Sequence, residues 1–333
     1  MHRIKTISTI RDSAPDDLFI TCESFEDRCI GAVSLLGNYQ TKACLIVSFL
    51  SRLRNPRGES KRRKNMTDML RILSDNNIGA KPIRIKVDPY NPLDLLLSLR
   101  SELAEAGVDV SDASITIDIS CFTKIQLLFL LTFIQRHVGR GAMRLLYTLP
   151  SYYGSLDRRD LAIGYDRLMI APFANSKPRE LTNRGLAMIM LLGHEGSRAM
   201  HAWSEMEPES TTLVKATSLG DPEPVNIAER QNQTLLSKAR EGQNDFTLRT
   251  CPDRGLSQGI ELFRTITAGY TTKPVERIAF VPMGPKPLVA AFALSTYNNG
   301  NAPIDIVYPV PQAYDSGYSV GIGSTYSYVW NGR

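Results

Sequence analysis

Ile115-Thr116-Ile117-Asp118-Ile119-Ser120-Cys121-Phe122-Thr123-Lys124 is the stretch on which the fold turns. It alternates like a strand, breaks in a short polar turn, and reaches a lysine. Beyond the lysine, Ile125 to Ile134 is apolar nearly all round, the pattern of a buried helix. The same order recurs at Ile278-Ala279-Phe280-Val281-Pro282-Met283-Gly284-Pro285-Lys286, followed by an apolar helix from Leu288 to Tyr297. Each lysine is followed by a Tyr-x-x-Pro strand end, Tyr147 to Pro150 and Tyr308 to Pro311. Lys124 and Tyr147 are 23 positions apart and Lys286 and Tyr308 are 22 apart, so the spacing repeats with the motif.

Working outward, three further landmarks repeat in the same order between residues 17–153 and 185–314. Each copy begins with an apolar strand that ends in an acid-then-arginine turn. These are Leu18 to Cys22 before Glu26 and Arg28, and Met188 to Leu192 before Glu195 and Arg198. Helices are expected over Cys29–Leu36 and Ala199–Met206. A second strand runs into a Pro-containing loop and a helix bearing Asn65 or Asn232. A third strand stops at Pro89 or Pro252 and opens an amphipathic helix. Pro89, Pro252, Tyr147 and Tyr308 read as turn and packing residues.

Each copy therefore alternates strand and helix through five strands, which predicts a parallel, helix-covered sheet with right-handed crossovers. The fold class is α/β, a tandem duplication of a Rossmann-like unit packed as a pseudo-twofold pair. The expected copies are residues 1–172 and 185–333, with a linker at 173–184. At 333 residues and 43% apolar composition, the chain is long and apolar enough for two cores.

Composition narrows the function classes. No apolar run reaches the roughly 18 residues of a membrane span, and the N-terminus leads into polar sequence, so no membrane association is expected. Cys22, Cys29, Cys44, Cys121 and Cys251 are scattered and never form a C-x-x-C pair, which predicts reduced thiols, a cytoplasmic location and no metal site. No phosphate-binding or dinucleotide glycine loop is present, and Gly317–Gly323 has the wrong spacing for one. No cofactor is expected.

In an open parallel sheet, ligands sit beyond the carboxyl ends of the strands, and the repeated polar landmarks fall there. A helix N-terminus carries partial positive charge and free N–H groups, so a lysine at that position suits an anion. Lys124 and Lys286 are thus expected to bind a phosphate-bearing nucleotide. Ser120, Thr123 and Gly284 from the same turns, and Arg28 and Arg198 from the acid–arginine turns, complete the expected ligand set. The ligand is expected in the cleft where the copies meet. The net charge of +5 is concentrated between Arg52 and Lys64. There Arg52, Arg54, Arg62, Arg63 and Lys64 are expected to meet phosphate or nucleic acid.

The lysine turns resemble the ligand-binding turn of CRISPR-associated Rossmann-fold (CARF) sensor domains. The paired architecture resembles the related SAVED domains, which are fused pairs in one chain. The CARF turn is usually richer in glycine than copy one, which has none. The resemblance implies a nucleotide-binding protein of bacterial antiviral defence that senses or cleaves its ligand, acting with an effector or partner protein. The acid–arginine turn also resembles TIR and nucleoside-deoxyribosyltransferase folds. That likeness implies Glu26 or Glu195 as the carboxylate of an enzyme acting at a glycosidic bond of NAD or a nucleoside. A third reading is a non-catalytic subunit gripping nucleic acid through the basic loop.

Overall fold

A computed structural model describes residues 4–7, 16–50, 56–109, 111, 113–137, 142–154, 162–173, 185–241, 246–271, 275–296, 303–314 and 316–331. The first half of the chain forms β1 (Ile4–Ile7), β2 (Asp16–Cys22), β3 (Thr41–Phe49), α1 (Pro56–Asp75), β4 (Pro82–Val87), α2 (Pro92–Glu105), β5 (Ile115–Asp118), α3 (Lys124–His137), β6 (Ala142–Thr148) and the short β7 (Tyr152–Tyr153). The second forms β8 (Ala162–Phe173), β9 (Leu186–Leu191), α4 (Gly196–Met206), β10 (Ser210–Thr217), α5 (Glu223–Gln231), α6 (Gln233–Arg240), β11 (Phe246–Pro252), α7 (Leu256–Thr271), β12 (Arg277–Pro282), α8 (Lys286–Ser295) and β13 (Ile304–Tyr314). The short β14 (Ser319–Val320) and β15 (Thr325–Asn331) follow.

Two compact units result: residues 1–155 with 316–333, and residues 156–315. In unit 1 the sheet order is β4-β3-β2-β5-β6-β15-β1, and in unit 2 it is β11-β10-β9-β12-β13-β8. The five repeated strands pair in parallel and in the same order in each. The duplicated Rossmann-like α/β unit expected from the sequence is therefore what the chain forms. Registers align the copies residue by residue. Glu23 N donates to Val47 O, and Leu192 N to Val214 O, each at 2.9 Å, so Glu23 and Leu192 are equivalent. Following the ladders across the sheets makes Asp118 equivalent to Val281 and Tyr147 to Tyr308.

The central strands are buried on both faces, which explains their mostly aliphatic sequences. Leu18, Ile20, Ile46, Ile117 and Leu145 are fully or almost fully buried in unit 1, and Met188, Met190, Leu213 and Val281 in unit 2. α8 is buried at every described position from Pro287 to Ser295, as its all-round apolar sequence requires.

Two expectations need correction. The segment Cys29–Leu36 forms two 3-10 turns, Asp27–Ile30 and Val33–Leu35, rather than an α-helix. Gly31, a poor helix former, sits between them with Thr148 and Ile322 against it; an added Cβ would lie 2.5 Å from Thr148 Cγ2. The chain also does not divide at 173–184. β8 runs to Phe173 and pairs antiparallel with β13 in unit 2, whereas β15 pairs antiparallel with β6 in unit 1. Past the short β7 and β14, which pair with each other, β8 and β15 thus each complete the sheet of the other copy. Residues 174–184 lie outside the described residues. No helix among the described residues is long and apolar enough to cross a membrane. The five cysteines are buried free thiols.

Candidate functional site

In the order β4-β3-β2-β5-β6, connections run one way from β2 toward β4 and the other way from β5 toward β6. The reversal lies between β2 and β5, and in unit 2 between β9 and β12. In open α/β sheets, ligands are commonly bound beyond the carboxyl ends of the strands at such a switch point. In both units the acid–arginine turn follows the first of these strands, and the lysine turn follows the second.

Lys124 is the first residue of α3 and Lys286 the first residue of α8. Both are half-buried. Pro285 precedes Lys286 in an extended conformation, and Pro287 occupies a first-turn position where its missing N–H costs nothing. In unit 1, Thr123 Oγ1 accepts from Gln126 N at 3.4 Å and donates to Pro89 O at 3.3 Å, so it caps α3 and ties it to the loop after β4.

The acid–arginine turns build the same contact twice. Arg28 lies 2.7 Å from Glu26, and Arg198 pairs with Glu195. Both guanidiniums are inward, with the residues 4% and 2% exposed. Burial weakens the charge of Arg28, and the Glu26 carboxylate more than offsets it, leaving the guanidinium held firmly protonated. Arg198 donates Nε to Pro309 O at 2.8 Å, next to Tyr308, whose ring lies 5.4 Å from the guanidinium. These arginines thus brace each turn from inside. Glu26 also accepts from Ser319 Oγ at 2.5 Å, and Asp27 accepts from Gly321 N at 2.9 Å. The glycine-rich segment is thereby a strap across the first turn.

Ser120 is buried in the strand end. Its Oγ donates to Asp118 Oδ1 at 2.5 Å and accepts from Thr148 N at 2.8 Å. Gly284 is needed for close packing: an added Cβ would lie 2.8 Å from Leu192 O. Gly193 faces it, and a Cβ there would collide with the Met283 carbonyl.

The basic segment is split by α1. Arg52 and Arg54 lie outside the described residues. Arg62 turns inward, with Nε 2.8 Å from Glu23 Oε1 and Nη1 donating to Phe49 O at 2.5 Å. Arg63 is exposed and lies 3.3 Å from Glu59, while Lys64 is exposed.

Sequence reading passed over two buried carboxylates at this edge, Glu23 and Asp118. Burial pushes the Asp118 carboxyl up to about 6, against hydrogen bonds from Ser120 and Thr21 that favour its ionised form. An acid that interrupts an aliphatic strand, as in Ile-Thr-Ile-Asp-Ile, was the available signal. Among the described residues, no cluster of side chains has the makings of a metal site.

No protein-family profile and no curated protein matches the chain. Among solved structures it is similar to that of a Type III CRISPR defence DNA nuclease activated by cyclic oligoadenylate, with a TM-score of 0.50 and 8% identity over 88% of this chain. This chain spans 65% of that structure's length. A second similar structure is a functionally unknown protein, PA1789 from Pseudomonas aeruginosa PAO1, with a TM-score of 0.24 and 9% identity, covering 88% of this chain and 93% of that one. What the chain shares with the nuclease, at 8% identity, is its fold.

Proposed function

We propose that this chain binds a phosphate-bearing nucleotide at the carboxyl edges of its sheets, as a sensor or ligand-cleaving protein of bacterial antiviral defence that works with an effector. One observation carries the reading: in both units a lysine is the first residue of a largely buried helix that opens beside the switch point. Helix N–H groups and a lysine together favour an oxyanion. The fold likeness to a nuclease activated by cyclic oligoadenylate supplies the ligand class to try first.

The test is calorimetric titration with cyclic tetra-adenylate and cyclic hexa-adenylate, alongside mass spectrometry of small molecules released from the purified protein. Saturable binding that weakens in Lys124→Ala and Lys286→Ala supports the reading. Unchanged binding in both variants overturns the reading and leaves the lysines without a ligand role.

A further inference from the structure

Unit 1 carries a charge cluster at positions where unit 2 has leucine. Glu23, just beyond β2, is 1% exposed at its side chain and holds two arginines: Arg62 Nε at 2.8 Å from Oε1 and Arg84 Nη2 at 2.6 Å from Oε2. Arg84 is further fixed by Nε donating to Ser48 Oγ at 2.6 Å. The equivalent of Glu23 is Leu192. Arg84 pairs with Ile46 beside Thr21, and Leu248 pairs with Leu213 beside Met190, so the equivalent of Arg84 is Leu248. The fold is therefore built in the same chain with apolar residues at both positions. A buried ion cluster is commonly no more stabilising than well-packed apolar residues in its place, so stability does not account for it.

The cluster does fit an anion. Arg84 spends Nε on Ser48 and Nη2 on Glu23, yet its side chain remains 43% exposed. A guanidinium held by Ser48 and Glu23 on a side chain this exposed is a pre-oriented fork of the kind that suits phosphate oxygens. Exposed Arg57 and Lys64 on α1 add to the positive field.

We propose that Arg84, aligned by Glu23 as a positioning residue and backed by the charge of Arg62, forms an anion site peculiar to unit 1 that takes a phosphate group of a nucleotide. It deepens the nucleotide-binding reading but stands on residues other than the two lysines, so the two can fail separately.

The probes are sodium pyrophosphate and cyclic tetra-adenylate, titrated into the full chain, with thermal melts as the folding control. Glu23→Leu with Arg84→Leu gives unit 1 the residues of unit 2. This double variant is expected to melt cooperatively and to bind pyrophosphate about ten-fold more weakly or worse, the loss expected for a charge-assisted fork. Glu23→Gln gives a test of sign. Removing a negative charge beside two arginines raises anion affinity if Glu23 is only a neighbour. It lowers affinity if Glu23 aligns them, and the proposal expects the lowering. Parent-like pyrophosphate binding in the double variant overturns the proposal, as does a parent that does not bind pyrophosphate. If the double variant does not fold, Arg84→Gln decides, since it leaves the Glu23–Arg62 pair in place: weaker binding supports the site and unchanged binding overturns it. Pyrophosphate binding at Arg84 without any binding of cyclic tetra-adenylate would sink the cyclic-oligoadenylate ligand class and leave the anion site standing.

Discussion

Asn65 and Asn232 make the same contact in their two units. Asn65 donates Nδ2 to Ser24 O at 3.0 Å, and Asn232 donates Nδ2 to Gly193 O at 2.7 Å. The two carbonyls are equivalent, each one residue beyond the last ladder bond of its copy's first strand. Asn65 lies within the continuous helix α1, whereas Asn232 sits at the junction of α5 and α6. The contact is therefore kept across a change in the element that supplies it. Its effect is to fix the start of each acid–arginine turn.

Asn65→Ala and Asn232→Ala each leave a buried carbonyl short of a donor. Each is expected to lower stability by about 1–3 kcal/mol. Urea denaturation of the full chain measures this, and a change below experimental error in either variant would show that the shared contact is not what fixes the turn.

Lys124→Ala and Lys286→Ala should each weaken binding of cyclic tetra-adenylate about ten-fold or more, the effect of losing one charge-assisted hydrogen bond. The loss should be larger for Lys124, because unit 1 also carries the basic segment while the corresponding loop of unit 2 holds Asp221 and Glu223. Calorimetry on the single and double variants reads both the size and the ranking. Equal losses would remove the asymmetry.

Asp118 gives a pH signature. Its folded value near 6 stands above its ordinary 3.8, so between about pH 4 and pH 6 the folded chain holds a proton that the unfolded chain has released. Stability from this group therefore falls as pH rises through that window, by up to about 3 kcal/mol. Asp17 and Glu229 are held below their ordinary values by Lys42, Ser114, Lys215 and Arg240 against the opposing effect of burial, and they slope the opposite way. The measurement is thus a difference: Asp118→Asn should gain stability relative to the parent between pH 4 and pH 7. A constant difference across that range would show that Asp118 does not titrate there.

Glu26→Gln and Glu195→Gln remove the charge that each buried arginine faces. Breaking such a pair costs up to about 3–5 kcal/mol, so both variants should melt earlier than the parent. A variant that melts like the parent yet loses a nucleotide-consuming activity would point instead to glycosidic-bond chemistry on that carboxylate.

The five repeated strands, and the lysines that start α3 and α8, were legible because they are local: hydrophobic period, a turn, a cation, a helix. The equivalence of Tyr147 with Tyr308, expected from spacing alone, follows from the ladders. β8 and β15 were not legible as sheet members. Each pairs with a strand far from it in the chain, and nothing in Thr325–Asn331 announces β6 as its neighbour. Side-chain direction was equally hidden. In a run as basic as Arg62-Arg63-Lys64, only the helix phase separates Arg62, turned onto Glu23, from its exposed neighbours. Glu23 and Asp118 were passed over because a single acid at a strand end looks like a turn residue until its burial is known.

The crossed placement of β8 and β15 sets a timetable for synthesis. Thr148 of β6 pairs with Thr325 of β15, and all of unit 2 is translated between them. Unit 2 has every strand of its sheet once β13 has left the ribosome. Unit 1, though made first, must wait with the β6 edge unpaired until residues 325–331 arrive. An open strand edge on a nascent chain invites pairing with other chains, so that interval is when the β6 edge is most open to mispairing.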